Sequence, residues 1–352
     1  MVLNKLNIGE IILAQFQLQT HLDTIYEGTA HQFEFRATNA DDAQVWQTEF
    51  REALRDCLKI SGRMLPANPK TELLSTTDKG NYIEEKHVLM VDGVDAPLFM
   101  IIPKAEPPYQ TVIAFHGHGP GVKVILGNID DSAMAEASRA VDNNFAQQLA
   151  ESGYLVCAIE LRGFGERVTE QMNQASGGNS CRHLAFEYML HNRTLLGERV
   201  WDGMNAISYV LSRDDVIADS LTCIGFSGGG TASLFTSALD ERIKKSVIAS
   251  YMCTLKKSIL GMSHCECNYV PDLLTLGETG DIAGLIAPRP VQVISGEIDP
   301  IFPIDGVREQ FAQLEKIYQV FDADDNCTLT IHPDDHRFHF QMVESWIQAN
   351  TV

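Results

Sequence analysis

Leu221-Thr222-Cys223-Ile224-Gly225-Phe226-Ser227-Gly228-Gly229-Gly230-Thr231 is the stretch whose reading decides the fold. Its first half is an unbroken apolar run, the pattern of a strand buried on both faces. Its second half opens a helical pattern that continues through 231–239. Ser227 stands where strand turns into helix. Glycines at 225 and 229 suit a turn so sharp that larger side chains would collide. Such a turn lifts the Ser227 hydroxyl out of the sheet and sets the Gly228 N–H at the positive end of the helix. The pentapeptide alone is a modest signal, since a glycine-rich turn with a passive serine reads the same. The strand before it and the helix after it make Ser227 a candidate nucleophile.

Working outward, strands alternate with helices on both sides. Strands are expected at 111–115, 154–159, 245–249, 291–295 and 328–331, with helices at 141–152, 195–211, 307–318 and 339–349. Two earlier strands, 82–90 and 96–102, are joined by a Val91-Asp92-Gly93 turn. Repeated alternation with non-alternating apolar strands predicts an α/β fold: a mostly parallel sheet with helices on both faces. Residues 1–80 show little strand pattern. Asp41-Asp42 opens a helix with Trp46, Phe50, Leu54 and Cys57 on one face, ended by Gly62, Pro66 and Pro69. The expected organisation is an N-terminal helical extension, 1–80, on an α/β domain, 81–352. Two connections, 160–194 and 251–285, are long, polar and glycine-bearing. Both follow strand ends, where sites in open parallel sheets lie.

A serine hydroxyl needs a base and an orienting acid to act at neutral pH. On an elbow of this kind both follow later in the chain, acid first. Asp299 fits the acid, in the loop Gly296-Glu297-Ile298-Asp299-Pro300 after the strand at 291–295; Glu297 is its competitor. After the last strand come His332, His336 and His339. His336, between Asp334-Asp335 and the final helix, is the favoured base, with His339 next. A second oxyanion donor is expected from the loop after 111–115, where His116-Gly117-His118-Gly119 places the His118 N–H; Gly228 supplies the first.

Other motifs are read as structural. The paired histidines at 116 and 118 lack a complementary metal-ligand set in the sequence. His264-Cys265-Glu266-Cys267 lacks a second cysteine pair at zinc spacing and reads as a pocket-lining loop. Arg162-Gly163-Phe164-Gly165-Glu166 forms a turn in which Arg162 pairs with a nearby carboxylate. No metal and no cofactor are expected.

The 352 residues are 45% apolar, enough for a sizeable core. A net charge of −20 and a pI near 4.9 would repel nucleic-acid phosphates and anionic lipid heads. The apolar run 8–18 contains Glu10, Gln15 and Gln17 and lacks a signal-peptide flank. The expectation is a cytoplasmic protein with no nucleic-acid or membrane partner; homo-oligomerisation stays open. The eight cysteines are scattered and demand no disulfide framework.

Phe115-His116-Gly117-His118-Gly119, Glu160-Leu161-Arg162-Gly163-Phe164-Gly165-Glu166, Trp201-Asp202-Gly203-Met204, Gly225-Phe226-Ser227-Gly228-Gly229, Ile286-Ala287-Pro288-Arg289-Pro290, Asp299-Pro300-Ile301-Phe302-Pro303 and His336-Arg337-Phe338 occur in this order over residues 80 to 350. Together they resemble bacterial α/β-hydrolases of the dienelactone-hydrolase and acetyl-xylan-esterase-like type, relatives of prolyl-oligopeptidase catalytic domains. The resemblance implies an α/β-hydrolase fold with a Ser227–His336–Asp299 triad, backbone donors at His118 and Gly228, and no cofactor. It also implies a small-molecule ester as substrate, with a short acyl group. Two positions depart from that pattern. Asp334-Asp335 stand where the family often has glycines, and Glu160 where many relatives have Asp. A peptidase is the alternative, disfavoured because no gating domain fits beside the core. A catalytically silent fold is the other, disfavoured because each triad position is filled.

Overall fold

The computed structural model describes residues 18–170 and 179–350. The apolar run 8–18 thus lies outside the described residues except for Leu18. Nine strands form one sheet: β1 (Thr71–Asp78), β2 (Tyr82–Leu89), β3 (Ala96–Pro103), β4 (Thr111–Phe115), β5 (Leu155–Ile159), β6 (Thr222–Phe226), β7 (Lys245–Ala249), β8 (Val291–Gly296) and β9 (Cys327–His332). Their spatial order is β1-β2-β3-β5-β4-β6-β7-β8-β9. β1, β2 and β3 pair antiparallel, and β3 meets β5 antiparallel. From β5 across to β9 the pairing is parallel throughout. This is an α/β-hydrolase fold. Strands β4 to β8 are buried along their whole lengths, which is why they read as unbroken apolar runs.

β1 is the strand that the sequence pattern does not mark. All but its first residue are exposed, so no apolar stripe announces it. The sheet therefore begins at Thr71, inside the stretch read as helical extension.

Helices α1 (Leu18–Gly28) and α2 (Ala40–Cys57) precede the sheet. α3 (Ser132–Arg139) and α4 (Phe145–Glu151) connect β4 to β5, and α5 (Cys181–Leu190) and α6 (Leu195–Leu211) connect β5 to β6. α7 (Gly228–Leu239) follows β6, α8 (Leu273–Leu276) and α9 (Thr279–Gly284) lead to β8, α10 (Ile304–Val320) leads to β9, and α11 (Phe340–Ala349) closes the chain. Among the described residues no helix is long and apolar enough to cross a membrane. The two sheet faces carry separate cores, one around Phe115, Trp201 and Phe235 and the other around Phe145, Phe338 and Trp346.

The Asn39 side chain caps α2 by accepting from the Asp42 N–H. α2 buries Ala43, Gln47, Phe50, Leu54 and Cys57, while Trp46 is half-buried and donates to the Phe33 carbonyl at 2.9 Å. Gln47 takes the interior position because its amide donates to the carbonyls of Gly284 (2.9 Å) and Ala287 (2.7 Å). Arg51 and Arg55 reach the carbonyls of Ala238 and Leu239, and Arg289 reaches that of Ser237. Three guanidinium groups thus sit on the last carbonyls of α7, complementing the negative end of its dipole. The N-terminal arm thereby braces the helix that carries Ser227 at its start.

Candidate active site

Ser227 leaves β6 with φ 55° and ψ −120°, a backbone conformation that costs a non-glycine residue roughly 1–3 kcal/mol. Its N–H donates to the Ala249 carbonyl at 2.9 Å, which holds the turn. A Cβ at Gly225 would overlap the Gly229 carbonyl, and one at Gly229 would overlap the Phe115 carbonyl. The Ser227 carbonyl takes the Thr231 N–H at 3.0 Å as the first helical bond. The N–H groups of residues 228–230 therefore precede any acceptor inside α7.

Asp299 is buried at the tip of the loop after β8, while Glu297 is exposed. One Asp299 oxygen accepts the N–H groups of Ile301 (2.8 Å) and Phe302 (3.1 Å), and the other faces His336 Nδ1 at 2.7 Å. A carboxylate on Nδ1 fixes the tautomer that leaves Nε2 free to take a proton. The His336 ring packs on the rings of Phe226 (4.8 Å) and Phe302 (5.8 Å). Phe226 directly precedes Ser227, so His336 and the elbow share one corner. His339 is placed elsewhere: its Nε2 is 2.9 Å from Asp334, and its ring is 4.1 Å from that of His332.

His118 adjoins Gly228 so closely that a Cβ on Gly228 would meet its imidazole. The two residues expected to donate to an oxyanion are therefore neighbours. His116 is buried. Its Nδ1 lies 2.8 Å from the Gly117 carbonyl, and its Nε2 faces both the Leu161 N–H at 3.0 Å and a Glu160 carboxylate oxygen at 3.1 Å. Glu160, buried at the end of β5, accepts the Val122 N–H at 2.9 Å. A Cβ at Gly121 or Gly165 would overlap its carboxylate, and both glycines have positive φ, +94° and +48°. Glu160 thus joins the loop after β4 to the loop after β5.

Arg162 is bidentate on Asp202, at 2.8 and 2.7 Å, and lies 2.9 Å from Glu198. Arg167 shares the Asp202 carboxylate at 2.7 Å. Asp202 has no exposure, so it acts as a buried anchor; it is the carboxylate expected to pair with Arg162, supplied by the Trp201-Asp202-Gly203-Met204 motif.

Both long connections reach the His118 side of the corner. The 251–285 connection brings His264, Cys265 and Cys267, and the 160–194 connection brings Phe164 and Cys181. Burial, then the neighbouring His118, holds the His264 imidazole below the usual range. His118, Cys181, Cys265 and Cys267 each offer one donor atom, all within 4.8 Å of one another. Hydrogen bonds from Cys181 and Cys265, together with the Arg199 charge, hold the Cys267 thiol well below its usual range. The expectation of no ligand set rested on spacing along the chain. The fold supplies His118 and Cys181 to the Cys265/Cys267 pair from separate loops.

Comparison with known proteins agrees with this architecture. A 277-residue segment is 29% identical to the YtaP protein of Bacillus subtilis (strain 168), whose name assigns it to the hydrolases provisionally. The match covers 76% of this chain and 87% of that protein. A Bacteroides fragilis NCTC 9343 protein provisionally called an acetyl xylan esterase superposes with a TM-score of 0.79 at 15% identity, over 96% of this chain and 95% of that one. Acetyl xylan esterase 1 from Thermoanaerobacterium sp. JW/SL YS485 superposes with a TM-score of 0.55 at 18% identity, over 93% of this chain and 96% of that one. At these identities the structures show the shared fold. The model of the Abhydrolase family matches residues 18–345, nearly the whole chain, and the chain belongs to that family.

Proposed function

We propose that the protein is a serine carboxylesterase. Ser227 is the nucleophile, His336 the base, Asp299 its orienting acid, and the N–H groups of Gly228 and His118 receive the oxyanion. One observation carries this reading: the 2.7 Å His336–Asp299 hydrogen bond lies against Phe226, one residue from a serine held at φ 55°. The steps follow from that arrangement. Ser227 Oγ attacks the ester carbonyl carbon as His336 Nε2 takes its proton, and the carbonyl π electrons move onto oxygen. The tetrahedral intermediate collapses, the C–O bond to the alcohol breaks, and His336 returns the proton to the leaving oxygen. Water then attacks the acyl-enzyme, giving its proton to His336. The carboxylic acid departs as Ser227 is reprotonated.

The Phe302 ring meets those of Tyr251 (5.6 Å), His264 (5.9 Å) and His336 (5.8 Å). This crowding favours a small acyl group such as acetyl. So does the likeness of fold to proteins named acetyl xylan esterases. The test offers p-nitrophenyl acetate, a longer-chain p-nitrophenyl ester and an aminoacyl-proline anilide, with Ser227→Ala as control. Acetate turnover that vanishes in Ser227→Ala, with fluorophosphonate labelling lost alongside, is the expected result. Anilide cleavage without ester cleavage overturns it.

A further inference from the structure

We propose that His118 Nε2 and the sulfurs of Cys181, Cys265 and Cys267 hold one tetrahedral zinc-class ion beside the Ser227 corner. The donor atoms match such an ion in kind and in spacing. Cys267 Sγ is 3.3 Å from His118 Nε2 and 3.2 Å from Cys265 Sγ, and the set lies within 4.8 Å. With Zn–S near 2.3 Å and Zn–N near 2.0–2.1 Å, tetrahedral geometry requires sulfurs about 3.8 Å apart and S···N about 3.6 Å. Three cysteines and one histidine form a ligand set selective for zinc over harder cations.

Charge gives a second, independent argument. Arg199 is buried. Its guanidinium donates to the Arg162 carbonyl, at 3.0 and 2.6 Å, and to Cys181 Sγ at 3.1 Å. Among the described residues no carboxylate lies within ion-pair reach of it. A buried guanidinium without an anion is costly. Three thiolates, a neutral imidazole and a divalent ion sum to one negative charge, and Arg199 brings the total to zero. The Arg199 bond to the Cys181 sulfur and the Asn268 amide at 3.5 Å from the Cys267 sulfur are outer-shell donors of the kind that orient thiolate ligands.

All four positions are filled by protein, so the ion is structural and keeps no place for substrate. Its effect on chemistry is indirect. The same His118 whose ring binds the ion packs that ring on Gly228, and its backbone N–H is the proposed second oxyanion donor. The ion thus fixes the loop after β4 to α5 and to the 265–267 turn.

The reading is independent of esterase activity, because its test is metal content. The full chain is purified under reducing conditions from zinc-supplemented cells and analysed by plasma mass spectrometry. One zinc per chain is expected, and Cys327→Ser should retain it. Cys181→Ser and Cys267→Ser should lose it, and Asn268→Ala should weaken retention about 10-fold or more. Should the cysteine variants not fold, the wild-type chain still decides. Cobalt(II) substitution should give thiolate-to-metal charge transfer and the strong d–d bands of a tetrahedral site. Reduced wild-type protein that carries no stoichiometric metal and takes up no cobalt refutes the proposal. So does metal retained undiminished by a folded Cys267→Ser, or a Cys265–Cys267 disulfide in place of the ion.

Discussion

Replacing Ser227 by alanine and by glycine separates the hydroxyl from the backbone that presents it. Both substitutions remove the proposed nucleophile, so both should abolish ester turnover. They should differ in stability. Alanine keeps a Cβ at φ 55°, ψ −120° and with it the strain, roughly 1–3 kcal/mol. Glycine relieves that strain but gives the unfolded chain more freedom, at a cost of about 0.4–1 kcal/mol. The net advantage of glycine is about 0.5–2 kcal/mol. With an unfolding entropy near 2.1 cal/mol/K per residue over 352 residues, this is a rise in Tm of about 1–3 °C over Ser227→Ala. The assay is paired differential scanning calorimetry, with p-nitrophenyl acetate turnover on the same samples. Equal or lower stability of Ser227→Gly would show that no strain is stored at the elbow. Turnover surviving in Ser227→Ala would remove the residue from the mechanism.

Other expectations concern the histidines and the buried charges. His336→Ala should lower kcat about 10⁴-fold and His339→Ala by less than about 10-fold; the reverse pattern in steady-state kinetics would move the base to His339. Burial, and then His339, pushes His332 from 6.5 down to about 4. Its folded value lies below its unfolded one, so the unfolded chain binds more protons between them. Stability is full above about pH 6.5 and declines as pH falls toward 4, by about 1–3 kcal/mol. In His332→Phe that part of the slope of urea midpoint against pH should flatten, and an unchanged slope would contradict the assignment. Asp202→Ala leaves Arg162 and Arg167 facing an emptied pocket and should cost about 3–5 kcal/mol in urea unfolding, whereas a loss below about 1 kcal/mol would mean that water replaces the carboxylate.

Much of this was legible because each side chain's burial wrote itself into the chain. β4 to β8 are covered on both faces, so hydrophobic runs had to appear there. The elbow was legible because its crowding leaves room only for glycine at 225 and 229. The loop positions of Asp299 and His336 follow strand ends, and the structure brings these two into hydrogen-bond contact. β1 was not legible, since a solvated edge strand has no apolar face to display. Nor was the Cys181 contribution, because a ligand set assembled from three connections has no spacing along the chain. Trp46 packs with Phe50 on the core as its place on the apolar face of α2 led one to expect, half-buried with its indole on the Phe33 carbonyl, whereas Gln47, which no apolar pattern marks, goes inside on two hydrogen bonds.

The Glu160 cradle bears on how this chain can change over generations. Its carboxylate fills the space a side chain would need at Gly121 and at Gly165. Enlarging either glycine first meets an occupied site. Shortening Glu160 to aspartate first vacates part of that space, after which the positive φ of Gly165, 48°, would be met at least cost by asparagine or aspartate. The three positions are therefore epistatic and ordered, with 160 as the gate. Saturation mutagenesis one position at a time would score both glycines as immutable, while a library that varies 160 and 165 together would recover working pairs.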